Sequence, residues 1–317
     1  MHLEIITSTM INRILIRVKA VQMVYSYLVS QSSKSYANAK KDYETSLNKA
    51  YELYYYLLQL PIELTALQDR RIENAKNKYL PTKEDLFPNT KFIDNSFIKT
   101  LESCEQLQDF IKDNNVSWKD SEIYLRLVLD KIIQSDIYAD YMAKENSTFE
   151  EDAEFWRLIL KKVVFPDDDL AEALEAKSIY WNDDLNTAGT FVLKTIKRFE
   201  QGNYHDLLPM FKDDEDREYA DKLFSLSIKN KDRYMAMIDK FVQKDSWDTE
   251  RLAFMDVVIL LVAITELEYV PSVPVVVTIN EYVEIAKDYS TAKSGQFING
   301  ILIPIINYLK SEGKLLK

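Results

Sequence analysis

The sequence predicts an all-helical (all-α) protein, and three observations lead to this prediction. The 317 residues include only five glycines and eight prolines, whereas sandwiches, barrels and doubly wound sheets need glycine in their turns and tight loops. Apolar residues recur every three or four positions along nearly the whole chain, which is the spacing of an amphipathic helix. With 47% hydrophobic and 29% charged residues, the composition is that of a folded chain with a buried core.

The N-terminal part predicts a helical hairpin. Ile11–Val29 is apolar almost all round, apart from a narrow polar stripe that includes Lys19, and this is typical of a central helix with one accessible side. Tyr36–Arg71 predicts a long helix, because its large apolar side chains are spaced three or four residues apart. Pro81 and Pro88 then bracket the segment TKEDLF, which is predicted as a loop.

The middle of the chain predicts further helices at Phe92–Asp113, Lys119–Lys144 and Phe149–Val164. The next predicted helix, Pro166–Lys177, opens with the acidic run Asp167–Asp169. Three neighbouring carboxylates suggest a metal site. At the start of a helix, however, such residues usually cap free amide groups and complement the helix dipole, and we favour the capping interpretation.

The last third of the chain has the clearest helix boundaries. The acidic run Asp213–Asp216 opens one helix, and the prolines of VPSVP, Pro271 and Pro274, separate two others. Ser290 or Thr291 is the predicted cap of the last helix. The predicted helices of this part are Leu185–Phe199, Asp213–Lys229, Asp232–Gln243, Trp247–Tyr269, Pro274–Tyr289 and a final one that ends near Leu309.

Scarce residue types exclude several classes of functional site. Cys104 is the only cysteine, which rules out an internal disulfide and a thiolate zinc site and fits a reducing cytoplasm. The two histidines, His2 and His205, are too few for a histidine-rich metal site, and the five glycines do not form a phosphate-binding loop. The N-terminus lacks the pattern of a signal peptide, and no apolar run reaches the roughly 18 residues of a membrane span. We therefore expect a soluble cytoplasmic protein without a cofactor.

The distribution of charge is uneven. The net charge is −11, which disfavours a generally basic nucleic-acid binder. Nevertheless, Ile5–Lys41 contains no acidic residue and six basic ones, and Tyr289–Ser311 contains no acidic residue and two lysines. Two acid-free segments in an acidic protein are consistent with a surface for a polyanion and equally with two buried helices, and the charge pattern leaves both interpretations open.

The last predicted helix carries an unusual combination of residues at the edge of its apolar face. Phe297 lies at this edge, with Lys293 and Gly300 close by on the polar side. An aromatic ring, a cation and a bare glycine are suited to stacking and holding a nucleic-acid base. The alternative is that Phe297 is a peripheral residue of the core.

A dense series of residues runs from position 247 to position 302. The residues of this series are Trp247, Arg251, Asp256, Leu260, Ala263, Glu266, Leu267, Pro274, Ile279, Asn280, Glu281, Glu284, Lys287, Ser294, Phe297, Asn299, Gly300 and Leu302. In order and spacing, they resemble the C-terminal half of the NusB transcription antitermination proteins. Near the N-terminus, NRILIRVKAVQMVYSYLVS resembles the first helix of that family, and REYADKLFSLSIKNKDRYMAMIDKFV resembles its third helix and the continuation.

The resemblance implies a fold of two packed helical bundles. It covers about 120 residues at the two ends of the chain and is lost between Gln31 and Phe211. We interpret residues 31–211 as a large helical insertion. The predicted domains are therefore an N-terminal bundle at 1–230 that contains this insertion, and a C-terminal bundle at 231–317.

The resemblance also implies a function. NusB proteins bind the boxA element of nascent RNA together with the ribosomal protein NusE, and the complex helps RNA polymerase to read through terminators, notably in ribosomal RNA operons. The implied protein is not an enzyme. Asn280 is expected as a buried amide within the helix, next to Glu281. The residues that map to the RNA-binding surface are Arg13, Arg17, Lys19, Gln22 and Tyr25 of the first helix and Lys293 and Phe297 of the last.

Two other functions fit parts of the sequence. Some ribosomal RNA cytosine methyltransferases carry a NusB-like domain, but they also need a Rossmann domain and a catalytic cysteine, and Cys104 lies in a helical segment without glycine-rich turns. The second alternative is a helical scaffold for protein–protein interactions with little RNA binding of its own, because the unmatched middle supplies about 180 residues of amphipathic helix.

Overall fold

The computed structural model describes residues 10–30, 34–204, 206–244 and 253–315, and these residues form helices and no strand. The prediction of an all-α fold is confirmed. The α-helices are α1 Arg13–Val29, α2 Tyr36–Lys76, α3 Lys83–Leu86, α4 Ser96–Glu102, α5 Glu105–Asn114, α6 Glu122–Ile133, α7 Asp136–Ala143, α8 Phe149–Ile159, α9 Asp168–Lys177, α10 Leu185–Glu200, α11 Asp214–Lys229, α12 Lys231–Lys244, α13 Phe254–Tyr269, α14 Val275–Tyr289 and α15 Ser294–Ser311.

The helices form two compact units. Among the described residues, the first unit comprises Met10 and Asn48–Met210, and the second comprises 11–47 and Phe211–Lys317 as far as they are described. The division along the chain falls inside α2. The first unit therefore covers most of the segment 31–211 that was interpreted as an insertion. The predicted domain boundary at residue 230 lies inside the second unit, between α11 and α12, and it stays a prediction.

The first unit has an aromatic core built around α2. The ring of Tyr56 stacks on Trp118 with 3.9 Å between ring centroids, and the indole N–H of Trp118 donates to the carbonyl oxygen of Tyr56 at 2.9 Å. The indole N–H of Trp181 donates to the carbonyl oxygen of Lys49 at 2.7 Å. Because their N–H groups are satisfied, these large rings can be buried completely at little polar cost.

The second unit is built around α13. Every residue of this helix from Asp256 to Glu268 is buried, which is the pattern of a helix surrounded on all sides. It packs against α1, α11, α12, α14 and α15. Glu268 is fixed by Arg233 and by the hydroxyl of Tyr234, which donates at 2.8 Å, so that α12 is tied to α13 by polar contacts as well as by apolar packing.

Two long predicted helices are in fact broken. The helix predicted at Phe92–Asp113 is divided into α4 and α5 around Ser103 and Cys104. The helix predicted at Lys119–Lys144 begins with a 3-10 turn and is divided into α6 and α7, because the hydroxyl of Ser135 caps a new helix by accepting from the amide of Tyr138 at 3.2 Å. The prediction of single continuous helices here was wrong.

Two shorter predictions also need correction. The segment TKEDLF contains the short helix α3, which forms because Thr82 and Asp85 make a reciprocal capping box. The last helix begins at Ser294 and not directly after Ser290 or Thr291, since the hydroxyl of Ser294 accepts from the amide of Thr291 at 3.1 Å in the preceding turn. The start of a helix predicted at Trp247 lies outside the described residues.

The capping interpretation of the two acidic runs is confirmed. Asp167 accepts from the amide of Asp169 at the start of α9, and the ammonium of Lys131 lies 2.7 Å from Asp167 and 2.8 Å from Asp169. Asp213 caps α11 by accepting from the amide of Asp216 at 3.0 Å. Within the described part of the chain, no group of three or more His, Cys, Asp or Glu residues is arranged to hold a metal ion. Over the same residues, no helix is long and apolar enough to cross a membrane.

Candidate nucleic-acid interface

Helix α1 carries the first group of predicted RNA-binding residues. It begins at Arg13 because the side chain of Asn12 caps it, accepting from the amide of Leu15 at 2.9 Å. Arg13 and Arg17 are one turn apart and flank the ring of Tyr219 on α11, with their guanidinium carbons 5.1 and 5.8 Å from the ring centroid. Both arginines therefore face α11, and their surroundings differ strongly.

Arg17 is buried, with only 3% of its surface exposed. Its Nε donates to Glu266 on α13 at 2.8 Å, its Nη2 donates to the other oxygen of the same carboxylate at 3.2 Å, and its Nη1 lies 3.4 Å from Glu281 on α14. Burial opposes the charge of the guanidinium, but the surrounding acidic groups outweigh it and raise the pKa of Arg17 above its ordinary value.

Glu266 is the centre of the polar network that receives Arg17. Its carboxylate is fully buried and also accepts hydrogen bonds from Tyr219, from Thr278 at 2.7 Å and from Tyr282 at 3.3 Å. Burial alone would raise the pKa of Glu266, but the charge of Arg17 and these hydrogen bonds hold it below its usual value. The network joins α1, α11, α13 and α14, and its hydrogen bonds stabilise the ionised form of Glu266.

Arg13 lies nearer to solvent. Its Nε donates to Asp216 and its Nη2 donates to Glu215, each at 2.8 Å, and its side chain keeps 29% of its surface exposed. Ser272 also donates to Glu215 at 2.9 Å. The hydrogen bond from Arg13 is the largest cause that lowers the pKa of Glu215, and the hydrogen bond from Ser272 is the next largest. The acidic start of α11 thus partly neutralises the charge of this half-buried arginine.

The remaining predicted residues of α1 lie toward its C-terminal half. Lys19 is 2% exposed, whereas Gln22 and Tyr25 are half-buried. The ring of Tyr25 lies 5.5 Å from the ring of Phe254, the first residue of α13, at an angle of 55°. Phe254 is 41% exposed, so the two rings form an aromatic pair that solvent can reach.

Helix α15 carries the second predicted group. Lys293 is exposed and occupies the cap position directly before the helix. Phe297 is 3% exposed and belongs to the core, which is the alternative that the sequence left open. Gly300 is exposed, and a Cβ atom added to it would meet nothing within 4 Å. The open space expected beside Gly300 exists, but the ring of Phe297 is not on the surface.

The first turn of α13 connects the two groups. Phe254 contacts Tyr25 of α1, and Asp256 accepts a hydrogen bond from Ser294 of α15 at 2.9 Å. The first turn of α13 therefore contacts Tyr25 and also Ser294, the residue that follows Lys293. Arg13 is not part of this arrangement, because twelve residues separate it from Tyr25, which is about 18 Å along a helix.

Sequence reasoning was wrong about the exposure of several residues. Arg17 and Lys19 were expected on an accessible face of α1, but both are buried, and Ile14 is 53% exposed instead. Arg17 can be buried because it has a buried carboxylate partner, Glu266, on a distant part of the chain. Asn280, which was expected to be buried, is exposed. Contact with RNA stays a prediction for each of the seven residues.

The roles of two residues in this region, Phe254 and Glu266, were not found from the sequence alone. Phe254 opens an apolar helix, and nothing in its spacing distinguishes it from the core residues that follow. Glu266 offered a signal, because a carboxylate in the middle of an apolar helix needs a buried cationic partner. The sequence did not indicate that this partner is Arg17.

Comparison with known proteins finds a family model and several relatives that match the chain. The model of the NusB family matches residues 190–307. The transcription antitermination protein NusB of Salinibacter ruber is 35% identical over 134 residues, which are 40% of this chain and 82% of the relative. The NusB protein of Thermodesulfovibrio yellowstonii is 40% identical over 114 residues, 35% of this chain and 70% of the relative. That of Chloroherpeton thalassium is 46% identical over 82 residues, 25% of this chain and 39% of the relative. No solved structure matches the chain significantly.

Proposed function

The chain belongs to the NusB family of transcription antitermination proteins, and we propose on this basis that it binds boxA-type RNA together with the ribosomal protein NusE. The resulting complex acts on the RNA polymerase elongation complex, in particular during transcription of ribosomal RNA operons. The protein works by binding and not by catalysis, and it does so in the cytoplasm, where nascent RNA is made.

The observation that carries the proposal is the accessible surface at the start of α13. Tyr25 and Phe254 present two aromatic faces on which bases can stack. The exposed Lys293, which directly precedes the Ser294 that bonds to Asp256, supplies a cation for a phosphate. Arg13 adds a second cationic point at the other end of α1. Aromatic faces flanked by cations are the usual means by which proteins hold single-stranded RNA.

The distribution of charge between the units supports the same assignment. Asn48–Met210 holds 20 basic and 30 acidic residues, so it carries −10 of the net charge of −11. The rest of the chain, which includes α1 and α15, holds 20 basic and 21 acidic residues. RNA is therefore repelled much less by the second unit than by the first.

A scaffold for protein–protein interactions is the second candidate, and the acidic first unit favours it. The two candidates make different predictions for a gel-shift experiment with the full chain and a boxA RNA, with and without NusE. The proposed function predicts a shifted complex that becomes tighter when NusE is added, and no comparable complex with an RNA in which the boxA bases are exchanged. A scaffold without RNA binding predicts no shifted RNA when NusE is absent. When NusE is present, it predicts that adding the chain does not tighten RNA binding by NusE.

A further inference from the structure

The first unit contains a groove of about 470 Å³ between α7 and α8. Its apolar lining consists of Ile137, Tyr141, Phe155 and Leu158. The rings of Tyr141 and Phe155 are stacked with 4.0 Å between their centroids. Ile137 and Leu158 are partly exposed and offer apolar surface to the side chains of a partner, whereas Tyr141 and Phe155 are buried.

Hydrogen bonds to the buried carboxylate of Asp152 fix the shape of the groove. The hydroxyl of Tyr141 donates to the buried carboxylate of Asp152 at 2.7 Å, and the hydroxyl of Ser96 on α4 donates to the same carboxylate at 2.6 Å. Asp152 therefore fixes one of the two rings and ties α8 to α4. A groove that is already ordered loses little conformational entropy when a partner binds.

The rim of the groove is acidic. Four carboxylates line it, from Asp140, Glu150, Glu151 and Glu154, against the ammonium groups of Lys144 and Lys162. Lys144 is paired with Glu151 at 2.7 Å. Asp140 and Glu150 are exposed and make no ion pair with any part of the chain that the structure describes. Two exposed carboxylates without a cationic partner, of which Glu150 is hydrogen-bonded to Thr148, therefore lie beside the apolar lining.

We propose that this groove binds a basic amphipathic segment of a partner protein, with apolar side chains on the floor and lysine or arginine side chains against Asp140 and Glu150. The net charge of the whole segment Asn48–Met210 is −10, so it has the same sign as the rim of the groove and attracts cationic partners. RNA and a second copy of this acidic chain are both disfavoured by the same charge. The interaction is separate from RNA binding by the second unit.

The test uses the full chain and a fluorescent helical peptide of leucine and lysine as the probe, with fluorescence anisotropy as the readout. The groove variant combines Asp140→Lys and Glu150→Lys. The control combines Glu172→Lys and Glu175→Lys on α9, which are exposed, lie outside the groove and change the charge of the unit equally. Circular dichroism and thermal melting establish that both variants are folded. A third variant, Leu158→Lys, places a cation on the half-buried floor.

We expect the groove variant and Leu158→Lys to weaken binding of the peptide at least tenfold and the control to weaken it less than twofold. Equal weakening in the groove variant and the control would overturn the proposal, because binding would then be a diffuse effect of charge. Failure of the peptide to bind the unmodified chain would also overturn it. So would self-association in sedimentation experiments that the groove variant abolishes.

Discussion

Arg17 and Glu266 are 249 residues apart in the sequence and form a buried, two-pronged salt bridge, with Nε 2.8 Å from one carboxylate oxygen and Nη2 3.2 Å from the other. The pair joins the first helix of the second unit to its central helix. A guanidinium in this position stabilises the fold, because it compensates a carboxylate that has no access to water.

The first prediction concerns this pair. Arg17→Ala leaves the carboxylate of Glu266 buried without its cation, and we expect a loss of about 3–5 kcal/mol in the free energy of unfolding. Arg13→Ala is the comparison, since Arg13 lies one turn earlier on the same helix but keeps 29% of its side chain exposed and pairs with the exposed Glu215 as well as with the buried Asp216, so a smaller loss is expected. Urea unfolding of both variants measures the difference. Equal losses would show that Arg17 does not have the structural role described here.

The second prediction concerns the dependence of stability on pH. The pKa of Glu266 is lowered in the folded protein, so its contribution is complete above the ordinary glutamate pKa of about 4.3 and is lost as the pH falls toward the folded value. Glu266→Gln removes this titration. We therefore expect the free energy of unfolding to fall more steeply between about pH 5 and pH 3 in the unmodified chain than in Glu266→Gln. Parallel curves from urea unfolding at each pH would contradict the role of this carboxylate.

The third prediction concerns Arg13 and its acidic partners. Glu215→Gln removes a carboxylate that competes with phosphate for Arg13, and we expect RNA affinity to rise on the order of two- to fivefold. Glu218→Gln is the control, because this residue lies on the same helix and pairs with Lys222 instead. Arg13→Ala should weaken binding and reduce the slope of log K against log salt by about one. If Glu215→Gln and Glu218→Gln raise the affinity equally, Arg13 does not contact the RNA.

The fourth prediction compares Phe297, which the sequence singled out as a stacking residue, with Phe254, which it did not. Phe297 is buried, so Phe297→Ala should cost about 3–5 kcal/mol of folding stability and leave the RNA affinity of the folded fraction unchanged. Phe254 is 41% exposed and contacts Tyr25, so Phe254→Ala should cost about 1–3 kcal/mol of RNA affinity and little stability.

Thermal melting and fluorescence anisotropy of the two variants separate these effects, and each variant serves as the control for the other. If Phe297→Ala loses RNA affinity and Phe254→Ala does not, the stacking surface lies on α15 and not at the start of α13.

Local patterns were enough to predict the helices that carry the candidate site. The central helix was recognisable from its unbroken apolar run, and the cap of α11 from its acidic start. The breaks at Cys104 and Ser135 were missed, since neither break has a glycine or a proline to mark it. The exposure of Arg17 was predicted wrongly for a different reason. Helical spacing shows which residues share a face, but only the tertiary fold shows that Glu266 lies opposite that face.

We propose that RNA binds the second unit around the start of α13. Photocrosslinking a boxA RNA that contains 4-thiouridine to the full chain in the presence of NusE, followed by mass spectrometry of the crosslinked peptides, locates the bound RNA. We expect crosslinks on peptides that contain Tyr25, Phe254 or Lys293 and their loss when the boxA bases are exchanged. Crosslinks confined to Asn48–Met210, or crosslinks that do not depend on the boxA bases, would contradict it.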